Sequence, residues 1–247
     1  MSIELEFIAR VRSPYLEKFG IPRQPGLAPG LHSRIELLGP YAQADCLQGL
    51  NQCSHIWLQF IFHHSQDTPW RPKVRPPRLG GNRSMGVFAT RSPVRPNPIG
   101  LSAAKIERID FENAAIEVSG LDLLDGTPIV DIKPYVPYVD AKGDAVNQFA
   151  EEAPLTLEVV FDEVVEAFCV DWDAEQQAAN KLSEMIRQIL AQDPRPAYQK
   201  GKSGSREYGM SLKPVLSGSA LNIRWVYETT DAGTEVLRVI TVSSLNK

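Results

Sequence analysis

The chain of 247 residues is long enough to bury a core in one large or two modest domains, and its 43% hydrophobic and 23% charged residues exclude a disordered chain. No apolar run approaches the ~20 residues that span a bilayer, and the start of the sequence lacks a signal-peptide pattern. The three cysteines lack paired spacing. We therefore expect a cytoplasmic protein without disulfides. The formal net charge of −4 does not suit a protein that binds nucleic acid over its whole surface.

The first two-thirds of the chain consist of short runs in which apolar and polar residues alternate, which predicts strands. Turn signals such as Asp125-Gly126 separate these runs. In chain order the predicted strands cover 3–12, 32–38, 56–62, 85–90, 101–110, 115–121, 129–133 and 155–161, with one short helix over 42–50. Many short strands without regular helices between them favour a barrel or a sandwich over a parallel sheet.

The pattern changes after Phe168. Apolar residues spaced by three and four predict one helix over 173–192, with Asp171 or Asp173 as its N-cap and Pro194 ending it. Two strands, 221–228 and 235–242, follow. We therefore predict a mainly β fold, with a β domain over 1–165 and a small α+β domain over 166–247.

Positive charge is concentrated in two segments of this acidic chain. Between Pro69 and Gly100 there are seven basic residues and no acidic one, and a second basic cluster begins at Arg195. The prolines and glycines of the first segment exclude a helix that enters a groove, but a loop of this kind can lie along a phosphate backbone. A solvated surface loop explains the same charges equally well.

The segment from Thr90 to Leu101 is the most informative part of the sequence. Pro93, Pro96 and Pro98 fix their own φ angles and restrict the residue before each of them, so the segment is nearly rigid. Asn97 stands between two prolines with a side chain that both donates and accepts, and Gly100 permits close approach to the backbone. These features predict a preorganised binding loop, although a stiff connection between barrel strands has the same pattern.

The string Arg95-Pro96-Asn97-Pro98-Ile99-Gly100-Leu101, preceded by Gly86 to Arg91, resembles the TsaA-like (TrmO) family of S-adenosylmethionine-dependent tRNA N6-methyltransferases. Asp193 to Tyr198 is similar to the family's C-terminal motif, and Asp131 to Tyr135 is similar to a third family segment. The resemblance covers nearly the whole chain. It implies an N-terminal single-sheet β-barrel with a small C-terminal domain, and a methyl donor bound without a Rossmann domain. The chain indeed lacks the glycine-rich dinucleotide motif after a strand.

The resemblance also implies a donor site. Its carboxylates suit ribose hydroxyls and a sulfonium charge, and its arginine suits the methionyl carboxylate. Without the resemblance, Asp122 and Asp125 are better explained as turn residues before Gly126, and the two histidines can be a strand end. We expect no metal, because the spacings of Cys46, Cys53 and His63 fit no common zinc pattern. The implied site comprises Pro22, Arg23, Gln24, His63, His64, Arg91, Asn97, Leu101, Asp122, Leu123, Leu124 and Asp125.

The family reaction implied here places a methyl group on N6 of N6-threonylcarbamoyladenosine, next to the anticodon of tRNA. The lone pair of that nitrogen is delocalised, so a base is useful, and Asp131, Asp193 and Tyr198 are candidates. The expected tRNA-phosphate contacts are Arg71, Lys73, Arg75, Arg78 and Arg195. The resemblance favours a homodimer with a site shared between subunits. A non-catalytic tRNA- or adenosylmethionine-binding module and a plain β-barrel scaffold are the alternatives.

Overall fold

The computed structural model describes residues 4–76, 83–176, 180–195, 199, 206–215, 217 and 219–245. Over these residues the chain forms strands, short 3-10 turns and three α-helices, α1 (Pro137–Asp140), α2 (Glu163–Gln176) and α3 (Leu182–Leu190). The strands are β1 (Ala9–Arg12), β2 (His32–Leu37), β3 (His55–Ile61), β4 (Lys73–Val74), β5 (Met85–Gly86), β6 (Ile99–Asp110), β7 (Ala115–Ser119), β8 (Pro128–Pro134), β9 (Glu158–Phe161), β10 (Tyr208–Leu212), β11 (Ala220–Thr229) and β12 (Glu235–Leu245).

Six antiparallel strands close into a barrel in the order β1-β2-β7-β6-β3-β8. Alternation along the strands turns one apolar set inward, including Ile35, Ile56, Leu58, Ile116 and Ile129, and these side chains form a single core. The mainly β fold with an N-terminal barrel is therefore confirmed. The predicted helix over 42–50 is wrong, because the connection contains the 3-10 turns Gly39–Tyr41, Ala44–Leu47 and Leu50–Gln52, interrupted by Gly49 at φ +86°.

A second sheet, ordered β10-β11-β12-β9, packs against α2 and α3 around a separate core that contains Trp172, Leu182, Ile186 and Trp225. The prediction of one helix over 173–192 is wrong. The first helix starts ten residues earlier, at Glu163, and Asp173 within it accepts a hydrogen bond from the Leu182 N–H at the start of the second, at 2.8 Å. Strand β9 pairs in parallel with β12, while the predicted division at 165/166 falls inside α2, so we propose a boundary before β9.

Three connections of the barrel lie at one end. They are 13–31 between β1 and β2, 62–98 between β3 and β6, and 120–127 between β7 and β8. The connection 13–31 also packs on the second domain, since Tyr15, Ala28 and Leu31 are part of its core. This end of the barrel therefore faces the C-terminal domain. None of the helices in the described ranges is long and apolar enough to cross a membrane.

Inward-facing residues of β6 are small near this end: Gly100, Ser102 and Ala104 are all buried. Gly100 lies directly opposite Phe60 of β3, and a Cβ added at Gly100 would overlap the Phe60 ring. The glycine of the proline motif is thus required by packing against a neighbouring strand, rather than by its own backbone angles.

Gly100→Ala is expected to lower the free energy of unfolding by about 1–3 kcal/mol, because the Phe60 ring must move out of a packed core. Chemical denaturation monitored by circular dichroism measures the change. Gly86→Ala is the matched control, since a Cβ at Gly86 meets nothing within 4 Å, and it should change stability little. Equal effects of the two substitutions would contradict the packing argument.

Candidate active site

Side-chain contacts tie together the three connections at the shared end of the barrel. Gln24 accepts a hydrogen bond from the Arg91 guanidinium, which joins the first connection to the second. The Lys18 ammonium donates to the carbonyl oxygen of His64 at 3.1 Å, which joins them again. Ser102, near the start of β6, donates to the Asp122 carboxylate of the third connection at 2.7 Å. The structure thus brings together segments that are about a hundred residues apart in sequence.

Asp122 is the carboxylate of this cluster that a ligand could use. Burial raises its pKa, while the hydrogen bond from Ser102 and the charge of Arg91 oppose that rise. The Tyr15 side chain is 1% exposed, its hydroxyl has no partner among the described residues, and its pKa is raised by burial first and then by Asp122. Asp122 is half-buried, and a carboxylate in such a place can accept hydrogen bonds from a ligand that carries hydroxyl groups, such as a ribose.

The rest of the 122–125 segment has structural tasks. Asp125 accepts a hydrogen bond from the Ser13 N–H at 2.9 Å, and its own N–H donates to the Tyr15 carbonyl oxygen at the same distance. Leu123 is 3% exposed and its side chain belongs to the barrel core. Leu123 and one oxygen of Asp125 therefore hold the turn in place. Asp122, Leu124 and Asp125 are all half-buried, so each keeps surface that a ligand can reach.

His63 and His64 form a 3-10 turn directly after β3, with their rings nearly perpendicular and their centroids 4.4 Å apart. Burial lowers the pKa of His63, the neighbouring His64, Lys18 and Arg10 lower it further, and a hydrogen bond with the Ile61 backbone opposes them in part. The lowered pKa favours the neutral form of His63, which can accept or donate a hydrogen bond without carrying charge.

The proline segment is held from inside by Arg95, whose guanidinium donates to the carbonyl oxygens of Thr90 and Ser92 at 3.3 and 3.4 Å. Its outer side chains are open: Asn97 is exposed, and Leu101 is 52% exposed although it is apolar. In the first connection Arg23 is exposed, whereas Pro22 is buried and supports the loop. The backbone of the segment is therefore fixed by Arg95, while the side chains of Asn97 and Leu101 remain accessible to solvent, as a binding loop requires.

The three candidate bases differ in their surroundings. Asp131 lies within β8 opposite Gln59, forms an ion pair with Lys133 at 2.5 Å and accepts the Ile132 N–H, and no described contact links it to Gln24 or Asp122. Asp193 is 5% exposed, has a positive φ of 49° and accepts a hydrogen bond from the Tyr227 hydroxyl. Tyr198 lies outside the described residues.

The prediction that Arg195 contacts tRNA phosphate is at odds with its position. The side chain is 2% exposed, pairs with Asp193 at 2.9 Å and with Glu235 at 2.6 Å, and stacks on the Tyr227 ring with its guanidinium 3.6 Å from the ring centre. Burial disfavours its charge, but the hydrogen bonds to Glu235 and Asp193 outweigh that cost and raise its pKa. Arg195 therefore anchors the C-terminal motif, and Glu235, which supplies half of the anchor, escaped sequence reasoning because it lies forty residues away.

The basic segment of the second connection contains a two-stranded ribbon in which β4 pairs with β5. Arg71, Lys73 and Arg75 are exposed on and beside this ribbon, and Arg83 stacks over Phe149 at 5.0 Å. Arg78 lies outside the described residues. Because the ribbon belongs to the same connection as His63, His64 and Arg91, its charges lie in the loop system that carries the candidate site.

A cavity of about 440 Å³ lies at the opposite end of the barrel, lined by Ile8, Leu37, Leu47, Leu50 and Ile132 among others. None of the predicted donor-site residues lines it, so we do not assign the donor to it. Over the described ranges, no group of three or more His, Cys, Asp or Glu side chains could hold a metal ion.

Two family models match the chain: the tRNA-methyltransferase O N-terminal domain over residues 10–141 and the TrmO C-terminal domain over residues 154–242. The chain is 44% identical over 238 residues to the tRNA (adenine(37)-N6)-methyltransferase of Escherichia coli K12, which covers 95% of this chain and 97% of that protein. It is 48% identical over 236 residues, 96% of each chain, to a Pseudomonas aeruginosa protein named putative S-adenosylmethionine-dependent methyltransferase RcsF. The crystal structure of TrmO from Pseudomonas aeruginosa is similar with a TM-score of 0.79 and 38% identity, covering 98% of this chain and 99% of that one.

Glu235→Gln is expected to lower the free energy of unfolding of the C-terminal domain by about 2 kcal/mol, because it removes a charged partner from a buried guanidinium. Urea denaturation followed by the fluorescence of Trp172 and Trp225, both in that core, measures the loss. Glu207→Gln is the control, since Glu207 pairs with Arg224 at the surface, where a single ion pair contributes less than about 1 kcal/mol. A Glu235 variant as stable as this control would show that the buried anchor contributes nothing.

Proposed function

We propose that this chain, which belongs to the tRNA-methyltransferase O family, transfers a methyl group from S-adenosylmethionine to the N6 nitrogen of adenosine 37 in tRNA. The resemblance inferred from the proline motif is confirmed by both family models and by relatives that span nearly the whole chain. The names of those relatives support a methyltransferase that uses S-adenosylmethionine and acts on tRNA. We further propose that the acceptor is N6-threonylcarbamoyladenosine and that the reaction takes place in the cytoplasm.

The observation that carries the proposal is the cluster of side chains at one end of the barrel. Asp122, with one oxygen bound to Ser102, can accept hydrogen bonds from ribose hydroxyls. Arg91, oriented by Gln24, can bind a carboxylate. When bound, S-adenosylmethionine supplies a methyl group already activated by its positive sulfur, so the main task left to the protein is alignment.

The acceptor nitrogen carries a proton that must leave as the methyl group arrives, and its lone pair is delocalised into the purine and the carbamoyl group. A base that removes this proton must approach from the open side of the site. Asp193 is buried against Arg195, and Asp131 lies within β8 rather than at the connections. We therefore retain Tyr198 as the preferred candidate. The target base has to leave the anticodon-loop stack, which costs little in a single-stranded loop.

We also propose that two copies of the chain assemble around this site. Phe88, Ile99 and Leu101 are 78%, 41% and 52% exposed and belong to or adjoin the proline segment. Exposed apolar side chains beside a binding loop indicate a surface that a partner covers. A second subunit there would add its own residues to the donor site, as the family resemblance implies.

Purified protein with S-adenosylmethionine should methylate an anticodon stem-loop that contains N6-threonylcarbamoyladenosine, detected by mass spectrometry of the nucleosides. Asp122→Asn should weaken donor binding in calorimetry about tenfold or more, because the amide accepts fewer hydrogen bonds than the carboxylate. Asp162→Asn, which alters an exposed ion pair of the C-terminal domain, is the control and should bind the donor normally.

Donor binding without methyl transfer to any tRNA would favour the non-catalytic binding module. If the protein does not bind the donor, the remaining alternative is a plain β-barrel scaffold. Sedimentation of the same preparation measures the assembly state, and a monomer would remove the proposed second subunit while leaving the reaction intact.

The exposed cations of the β4–β5 ribbon are expected to contact tRNA phosphates. Arg75→Gln should weaken the binding of different tRNAs about equally and reduce the slope of log affinity against log salt by roughly 0.7–0.9, the value for a single phosphate neutralised by one cation. Filter binding at several salt concentrations measures the slope. Arg108→Gln, an equal loss of charge from the barrel wall where Arg108 pairs with Glu117, should leave the slope unchanged. An Arg75 variant with the wild-type slope would exclude the ribbon from the interface.

A further inference from the structure

A second cavity, of about 200 Å³, lies where the connection 13–31 meets the C-terminal domain. Lys18, Ile21 and Arg23 line one wall, and Ile189, Gln192 and Pro194 line the other. We call this cavity the interdomain cleft. A cleft of this volume can accept a group the size of an amino acid.

The cleft carries positive charge that no described carboxylate neutralises. Lys18 and Arg23 are exposed, and neither forms an ion pair within the part of the chain that the structure describes. On the barrel wall, by contrast, Arg12, Arg34 and Arg108 each pair with Glu or Asp. The nearby Asp193 directs its carboxylate to Arg195 and Tyr227. Two cations at the mouth of a small cavity without acidic lining attract an anion.

The cleft adjoins both halves of the candidate active site. Its Lys18 donates to the backbone of His64, and Arg23 precedes Gln24, the partner of Arg91. On the other wall, Pro194 belongs to the C-terminal motif that Arg195 anchors. A group bound in the cleft would therefore lie between the proposed donor site and that motif.

We propose that the interdomain cleft binds the carboxylate of an amino-acid group, and we assign that group to the threonyl substituent of the acceptor base. This assignment rests on the proposed function. The carboxylate would pair with Lys18 and Arg23, so Arg23 would serve the acceptor rather than the donor site that the resemblance implies. Ile21 and Ile189 offer apolar surface for the threonyl methyl group. Unmodified adenosine lacks this carboxylate, so the cleft would select tRNA that a threonylcarbamoyl-transfer reaction has already modified.

The test compares binding with the unreactive product S-adenosylhomocysteine present, so that no methyl transfer occurs. Three anticodon stem-loops are used: one with N6-threonylcarbamoyladenosine, one in which its carboxylate is converted to an amide, and one with unmodified adenosine. The wild-type protein should bind the acid about five- to tenfold more tightly than the amide. Lys18→Gln should bring this ratio close to one, measured at saturating S-adenosylhomocysteine because Lys18 also holds the backbone of His64 in the donor site.

Lys142→Gln is the matched control, because Lys142 is exposed and follows α1, after β8 has crossed to the other end of the barrel. It should keep the wild-type ratio. A wild-type protein that binds acid and amide equally would overturn the proposal.

A carboxylate of the donor is the other source of the same chemistry. If Lys18→Gln weakens S-adenosylhomocysteine but not methylthioadenosine, which lacks the amino-acid part, the threonyl assignment is wrong. Methyl transfer by the wild-type protein is measured separately. Methyl transfer without tighter binding of the acid than of the amide would therefore contradict this inference alone. The absence of methyl transfer would contradict the proposed function.

Discussion

The connection between β1 and β2 is the part of the chain on which the rest of the structure depends, because it is hydrogen-bonded to the barrel and also packs into the core of the C-terminal domain. Its first residues, Ser13 to Tyr15, exchange hydrogen bonds with the 123–125 segment at the end of the barrel. Its later part is fixed from the C-terminal domain, where Gln188 accepts the Gly30 N–H at 2.7 Å and Asn180 donates to the Gly30 carbonyl. Backbone groups that the barrel and the C-terminal domain shield from water must form hydrogen bonds within the protein. The conformation of this loop is therefore fixed by both domains.

Much of the fold followed from local patterns. The strands β2, β3 and β6 alternate between buried and more exposed residues over most of their length, and their predicted and observed limits differ by at most two residues. Helix α2 was partly missed because Val164 and Val170 are exposed at 81% and 66%, and these valines obscure the buried stripe of Val165, Cys169 and Trp172. Strand β10, five residues with a glycine, carries too little pattern to be recognised.

The site was predictable only where a motif stands in one stretch of sequence. The proline segment and the 122–125 turn are contiguous, and the fold brings them to the same end of the barrel. Partners from elsewhere could not be foreseen: Tyr15 near Asp122, Lys18 on His64 and Glu235 on Arg195 are pairings made by tertiary packing. For Arg195 this changed the interpretation, since charge in a sequence suggests a surface, whereas two carboxylates and an aromatic ring keep this guanidinium inside.

The parallel pairing of β9 with β12 has a consequence for how the chain folds as it is synthesised. The barrel needs only residues up to β8, so it can close while the rest of the chain is still being made. The second sheet cannot be completed until its last strand arrives, because β9 precedes both helices and its partner is the final strand. Until then the core of the C-terminal domain, against which Tyr15, Ala28 and Leu31 pack, is incomplete. The loop with Arg23 and Gln24 is thus expected to become ordered only after β12 has been synthesised, later than the rest of the barrel.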